Sequence, residues 1–154
     1  MKVELIRSSH SVGEANYHIQ ITPAYRVPVF ADHLVRILTR DYILAAARKH
    51  KITVAAIGFG GDHCHIFTVA CKNHSVAKVA QLLKGSSSRM MRKHHRDLII
   101  GYLWNDKFWS GGYFYRTVGA VNSETVQNYV EHSQSKHWKV NTGIQKQLFE
   151  FTAN

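Results

Sequence analysis

The chain contains no apolar run long enough to span a bilayer, and its N-terminal apolar stretch is too short for a signal peptide. It also has only two cysteines among 154 residues, Cys64 and Cys71. Because both are expected in or at the end of one strand, they cannot meet the geometry of a disulfide. We therefore expect two small buried thiols in a reducing compartment, and a cytoplasmic location.

Acidic residues are also scarce. The chain carries 10 Asp and Glu against 20 Lys and Arg, which gives a formal net charge of +10. Such an excess favours a polyanionic partner, most simply nucleic acid, although a basic protein kept soluble by its charge would show the same composition. No long basic amphipathic helix supports binding to a membrane surface. The length and the 45% hydrophobic content predict a single domain over residues 1–154.

The hydrophobic pattern predicts four strands and three helices. The strands are expected at Tyr17–Thr22, Lys51–Phe59, a segment that contains His63 and His65, and Gly111–Val118. The helices are expected from an Asp32 cap to about His50, from a Ser75 cap through Arg96, and from a Ser123 cap to about Trp138. Gly85 and the three serines that follow it argue against one unbroken middle helix. Residues 1–14 are expected to form a loosely held arm.

The order β-α-β-β-α-β-α predicts an α+β fold with a ferredoxin-like, four-stranded antiparallel sheet and helices on one face. In that arrangement the first and third strands are central, so the two histidines would project from a central strand. The central strand is apolar on both faces. The second face therefore needs a cover, which could be the last helix or a second subunit.

His63 and His65 flank Cys64 directly after a Gly-Gly turn signal. Because side chains alternate along a strand, the two imidazoles point to the same side and could bind one divalent ion. Cys64 points to the other side, which argues against a zinc site of cysteine and histidine. The simpler alternative is a pair of partly exposed histidines without a ligand.

Several motifs together resemble a known family. They are His63-Cys64-His65, Tyr17-His18-Ile19 with Tyr25-Arg26, Leu82 to Ser87, the tryptophan-rich segment from Trp104 to Phe114, and Tyr129-Val130-Glu131-His132. This combination resembles the HUH single-tyrosine transposases (TnpA type) of bacterial and archaeal insertion sequences, over nearly the whole chain. The resemblance implies that Tyr129 attacks a scissile phosphate in single-stranded DNA and leaves a 5′-phosphotyrosine and a free 3′-hydroxyl. It also implies a prokaryotic cytoplasm as the location.

The resemblance further implies a divalent metal cofactor, Mg²⁺ or Mn²⁺, held by His63 and His65 together with a glutamine. The family usually places that glutamine four residues after the tyrosine, where this chain has Ser133. We predict that Gln134, the next residue, is the third ligand, and His132 is the alternative.

Family members are homodimers whose active sites join the histidines of one subunit to the tyrosine of the other, and they recognise DNA hairpins at element ends. The predicted DNA-binding residues are Arg26, Lys84, Arg89, Arg92 and Lys93, although a run of charges is often only a solvated helix face. Four aromatic residues could stack on unpaired bases: Trp104, Trp109, Tyr113 and Tyr115. We expect most of Trp104, Phe108 and Trp109 to be buried instead, as anchors of a loop.

Two other functions fit the same sequence. A catalytically silent, single-stranded nucleic-acid-binding module could share the fold without the activity. A metal-dependent single-strand nuclease would release its product by hydrolysis. A domesticated relative of the transposases would carry the same motifs as a mobile-element enzyme.

Overall fold

The chain is organised around a four-stranded antiparallel sheet. The computed structural model describes residues 5–103 and 107–132, without the side chains of residues 120–123 and 126. Its strands are β1 (Ile6–Arg7), β2 (Val12–Gly13), β3 (Tyr17–Ile21), β4 (Thr53–Phe59), β5 (Cys64–Val69) and β6 (Phe114–Thr117). Its helices are α1 (His33–Lys49), α2 (Val76–His94), α3 (Arg96–Ile99) and α4 (Ala120–His132).

The strand order of the main sheet is β4-β5-β3-β6, with every neighbouring pair antiparallel. This order confirms the predicted α+β architecture, in which the first and third long strands are central. Strand β5 is buried along its whole length because it has a strand on each side and a helix on each face. Residues at its start are therefore held firmly by their surroundings.

The two faces of the sheet are covered by different helices. Helices α1 and α2 bury one face, where Ile19, Ile66 and Leu83 belong to the main hydrophobic core. Helix α4 packs on the opposite face against β4 and β5, and its Val130 joins Phe67 in a smaller core. The sequence left two candidates to cover the second face, the last helix or a second subunit. In the single chain the last helix covers it.

Side-chain caps start α1 and α2 where the sequence predicts them. The carboxylate of Asp32 accepts hydrogen bonds from the backbone N–H groups of Leu34 and Val35, and the hydroxyl of Ser75 accepts one from Lys78. These bonds satisfy N–H groups that have no partner inside a helix. Both helix starts are confirmed.

The apolar residues of α1 predict a stripe of Leu34, Ile37, Leu38, Ile43 (with Leu44) and Ala47. Ile43 and Ala47 are buried as expected, but Leu34 is 49% exposed and Ile37 is 37% exposed, whereas Val35 and Thr39 are fully buried. The hydroxyl of Thr39 donates to the Val35 carbonyl, so this polar residue can lie in the core. The buried stripe is therefore rotated from the predicted one in the first half of the helix only.

Helix α2 runs unbroken through Gly85 and the three serines. The hydroxyl of Ser87 donates to the Leu83 carbonyl and accepts a hydrogen bond from the indole N–H of Trp109. Ser87 therefore links α2 to the tryptophan-rich segment and does not end the helix. The helix stops at His94, and the short helix α3 follows.

The described part of the N-terminal arm contains a small hairpin, in which Ile6 pairs with Gly13 and Arg7 with Val12 and which lies outside the main sheet. One predicted helix start was wrong. The last helix was expected to begin at Ser123, but α4 begins at Ala120. Its predicted end near Trp138 lies outside the described residues. No helix in the described ranges is long and apolar enough to cross a membrane.

Candidate active site

The imidazoles of His63 and His65 lie together at the start of β5. Their ring centroids are 4.9 Å apart and their planes are nearly perpendicular. His65 is 4% exposed and projects from the sheet face that α4 covers, while Cys64 belongs to the core on the other face. Burial raises the pKa of the Cys64 thiol, which therefore stays protonated. The arrangement agrees with the predicted alternation.

A third imidazole, which the sequence did not suggest as a site residue, belongs to the same cluster. Nε2 of His18, on the neighbouring central strand β3, lies 2.9 Å from Nδ1 of His65. The two rings are stacked, with centroids 5.1 Å apart. The sequence analysis named His18 only within the Tyr17-His18-Ile19 motif of the first strand, and a motif on one strand gives no register between strands.

Asp62 links the histidine cluster to the surface. Its Oδ1 lies 2.7 Å from Nδ1 of His63, and its Oδ2 accepts from the guanidinium of Arg26 at 3.2 Å. Burial alone would raise the pKa of Asp62, but the hydrogen bond from His63 and the charge of Arg26 outweigh burial and lower it. The carboxylate is therefore ionised at neutral pH.

The buried imidazoles are held in their neutral form. Burial, reinforced by the positive charge of Arg116, lowers the pKa of His18 from 6.5 to about 4. Arg116 is the residue of β6 directly opposite His18. Burial also lowers the pKa of His65, and the neighbouring His18 and His63 lower it further. Neutral rings have a lone pair on one nitrogen, which a metal ligand requires.

Gly60 leaves the space that the His63 ring occupies. A Cβ built on Gly60 would overlap the Cε1, Nε2 and Nδ1 atoms of His63. The backbone N–H of Gly60 donates to the His63 carbonyl and closes the turn between β4 and β5. A glycine is therefore needed here for close approach of the backbone to an imidazole.

Helix α4 brings Tyr129 to the imidazoles. The ring of Tyr129 lies with its centroid 5.5 Å from that of His65 and 6.4 Å from that of His18, in both cases edge to face. Tyr129 is half-buried beside Val130, which is completely buried. The structure thus joins the predicted nucleophile to the predicted ligand pair within one chain.

The described residues supply two candidate metal ligands, which is fewer than a complete metal site needs. They contain no group of three or more His, Cys, Asp or Glu side chains that could hold an ion. His63 and His65 supply two neighbouring imidazoles, and Gln134, the predicted third ligand, lies outside the described residues. The ring of His132, the alternative ligand, bonds through Nδ1 to the Asn128 carbonyl of its own helix at 2.7 Å.

The predicted DNA-binding residues occupy different surroundings. Arg89, Arg92 and Lys93 are exposed on the second half of α2. Arg26 is exposed beside the site. The ammonium of Lys84 donates to the carbonyls of Ser110 and Gly112, and burial together with Lys107 lowers its pKa. Lys84 therefore also anchors the tryptophan-rich segment.

The aromatic residues divide into anchors and exposed rings. Phe108 and Trp109 are buried, as predicted, and pack on Phe30. Tyr113 and Tyr115 are exposed, with ring centroids 6.1 Å apart. Trp104 lies outside the described residues.

One sequence family matches this chain, and two solved structures share its fold. The sequence model of a family described as "Transposase IS200 like" matches residues 11–133. A candidate transposase from Deinococcus radiodurans R1 is similar in structure, with a TM-score of 0.64 and 23% sequence identity over 84% of this chain and 98% of that one. A REP-associated tyrosine transposase bound to a REP hairpin has a TM-score of 0.52 and 10% identity over 80% of this chain and 68% of that one. A search among curated proteins finds no match.

The depressed pKa of His18 predicts acid sensitivity of the metal-free protein. Between pH 6.5 and about 4 the unfolded chain binds a proton that folded His18 excludes, so the free energy of unfolding falls as the pH falls through this window. The loss is on the order of 3 kcal/mol for this residue, and His65 acts in the same direction. Urea unfolding in a chelator at several pH values measures it.

The variant His18→Gln should show a shallower pH dependence over that window, because it removes the titrating group. The matched control is His10→Gln, since His10 is exposed in the β1–β2 turn. Equal slopes for the wild type and His18→Gln would contradict the prediction.

The variant Gly60→Ala should move the His63 ring while the fold survives, because the added methyl overlaps only a side chain that can rotate. We expect the free energy of unfolding to change by less than about 1 kcal/mol and the ring resonances of His63 to shift by NMR. Gly101→Ala is the control, since nothing lies within 4 Å of its added methyl. Unchanged His63 resonances in Gly60→Ala would show that the space is not needed.

Proposed function

Because this chain belongs to the IS200-like transposase family, we propose that it cleaves and rejoins single-stranded DNA through a covalent bond between Tyr129 and a 5′-phosphate. The observation that carries the proposal is the position of the Tyr129 ring, 5.5 Å from the ring of His65 between their centroids. A tyrosine with only a packing role would be expected among apolar side chains, whereas Tyr129 lies against two neutral imidazoles. Here the half-buried ring reaches them from a separate helix.

The proposed step conserves the energy of the phosphodiester bond. The Tyr129 oxygen forms a bond to the scissile phosphorus, and the bond from phosphorus to the 3′-oxygen of the preceding nucleotide breaks. The phenol loses its proton and the departing oxygen gains one, so the products are a 5′-phosphotyrosine and a 3′-hydroxyl. Attack by a 3′-hydroxyl on the phosphotyrosine reverses the step and rejoins a strand without a nucleotide cofactor.

His63 and His65 would hold a divalent ion, Mg²⁺ or Mn²⁺, and Gln134 is the proposed third ligand. When bound, such an ion would polarise the scissile phosphate and stabilise the departing oxygen. The protein's own contribution is to hold the imidazole of His65 neutral by burial and to cover one side of the cluster with α4.

The proposed substrate is single-stranded DNA with hairpins at the ends of an insertion sequence. The similar REP-associated transposase is bound to a REP hairpin, which supports a hairpin ligand for this chain as well. The exposed basic residues of α2, Arg89, Arg92 and Lys93, could bind phosphates on the same molecule, with an affinity that falls steeply as salt rises.

Tyr129→Phe should abolish the covalent protein–DNA adduct and lower strand cleavage by at least about 1,000-fold, because it removes the attacking oxygen but keeps the ring. The protein is incubated with single-stranded hairpin DNA and Mn²⁺ and analysed on a denaturing gel. Tyr113→Phe is the control, since Tyr113 is exposed and a phenylalanine still stacks on bases.

Each other result of this assay points to a different function. Cleaved DNA without an adduct in the wild type would indicate the nuclease, and a mobility shift without cleavage would indicate the binding module. An adduct that persists in Tyr129→Phe would show that another residue is the nucleophile.

The family resemblance also implies a homodimer in which each site combines residues of two subunits. In the single chain Tyr129 already contacts His65. Exchange of α4 between two subunits would reproduce the same contact across a dimer. A mixture of Tyr129→Phe with His63→Ala separates the two arrangements. For shared sites we expect the mixture to regain part of the cleavage activity, since mixed dimers then hold one intact site. Activity no higher than that of either variant alone would assign the site to a single subunit.

A further inference from the structure

Each imidazole has two nitrogens, and a metal ligand uses only one of them. The nitrogen that faces away from the ion usually donates its hydrogen to a carboxylate, a carbonyl or another acceptor. That acceptor fixes both the orientation of the ring and the nitrogen that carries the proton. The partners of His63 and His65 therefore decide which nitrogen each ring can offer.

For His63 the partner is a carboxylate. An ionised carboxylate can only accept hydrogen bonds, so Nδ1 of His63 carries the hydrogen and donates it to Oδ1 of Asp62 at 2.7 Å. In the neutral ring the lone pair is then on Nε2. The guanidinium of Arg26 bonds Oδ2 of Asp62 through Nε and Nη2, which leaves Oδ1 to the histidine.

The turn that presents Arg26 is strained. Tyr25 and Arg26 both have positive φ, 58° and 52°, in the left-handed region that residues with a side chain rarely adopt. Such conformations are unfavourable for residues with a side chain and persist only where the surroundings determine them. Tyr25 is 76% exposed and gains little from packing. The pairing of Arg26 with Asp62 is the contact that this turn makes at the site.

For His65 the partner is another imidazole. Nδ1 of His65 and Nε2 of His18 face each other at 2.9 Å, and both residues are buried. If His18 donated, the proton of neutral His65 would be on its Nε2, and no nitrogen of His65 could bind an ion. If His65 donates from Nδ1, its Nε2 has the free lone pair. Only the second arrangement is compatible with a metal ligand.

We propose that Asp62 and His18 are positioning residues that hold Nε2 of His63 and Nε2 of His65 ready for one divalent ion, and that Arg26 holds Asp62 in place for this role. The inference rests on the proposed metal site. It assigns His18 no bond to the ion, because its Nε2 is occupied by His65. It assigns Asp62 none either, because its two oxygens are occupied by His63 and Arg26.

The test measures Mn²⁺ affinity in the absence of DNA, by titration followed with electron paramagnetic resonance. His18→Phe and Asp62→Ala should each weaken binding roughly 10- to 100-fold. His18→Gln and Asp62→Asn keep an oxygen that can accept the Nδ1 hydrogen, and should recover most of the affinity. The controls are His10→Phe and Asp97→Ala, whose side chains are exposed outside the site.

A second readout reports on the rings themselves. Long-range nitrogen NMR of the metal-free protein identifies the protonated nitrogen of each histidine, which we expect to be Nδ1 in both His63 and His65. His18→Phe should release this preference in His65 only, and Asp62→Ala in His63 only. A purely structural role for His18 and Asp62 would not produce losses of Mn²⁺ affinity that the glutamine and asparagine variants restore.

Two results would overturn the positioning role. One is wild-type Mn²⁺ affinity in folded Asp62→Ala and His18→Phe. The other is a third coupled nitrogen in the pulsed resonance spectrum of bound Mn²⁺ that persists in His132→Ala and disappears in His18→Gln, which would make His18 a ligand. If His18→Phe does not fold, Asp62→Ala decides for Asp62, whose side chain is 29% exposed. The nitrogen spectrum of the wild type then decides for His18, since a proton on Nε2 of His65 would contradict its role.

The proposed function has its own control in this experiment. His63→Ala and His65→Ala should each abolish Mn²⁺ binding. If they do so while the His18 and Asp62 variants bind normally, only the positioning role is wrong. If they bind Mn²⁺ as the wild type does, the metal site itself is wrong.

Discussion

The pairing of β3 with β5 is the constraint on which the site depends. In this register His65 lies opposite Gln20 and His18 lies opposite Phe67, so the two histidines are diagonal neighbours within reach of each other. The apolar residues of the opposite face fix the register, since Ile19 faces Ile66 in the core. A slip by one residue would turn every side chain of β3 to the other face. Packing on one side of the sheet thus determines the chemistry on the other.

The burial of Val130 determines where helix α4 places Tyr129. Val130 is completely buried against β4 and β5, in the small core that contains Phe67 and Ala56. Successive residues of a helix are about 100° apart, so burying Val130 places Tyr129 at the margin of the buried stripe. Its ring therefore contacts the imidazoles while its surface stays partly open. The smaller of the two hydrophobic cores therefore positions Tyr129, the proposed nucleophile.

Much of the fold could be predicted because local rules determine it. Alternation on a strand placed His63 and His65 on one side, and the capping preference of Asp32 marked the start of α1. The contact of His18 could not be predicted, since it depends on the register between two strands that are far apart in sequence. The exposure of Leu34 could not be predicted either, because Leu34 and the adjacent Val35 are both apolar and only the packing of α1 selects the one that is buried. Local signals thus located the two histidines, and tertiary contacts completed their surroundings.

The strained turn at Tyr25 and Arg26 has a consequence for sequence change in this chain. The two residues have a left-handed backbone, and the side chain of Arg26 pairs with the carboxylate of Asp62, which also bonds an imidazole. A glycine at position 25 would relax the backbone at that residue. Loss of the Asp62 carboxylate would remove the partner that Arg26 and His63 share. The effects of substitutions at positions 26 and 62 should therefore not add, because the two side chains bond each other. They form one unit that can change together more easily than one residue at a time.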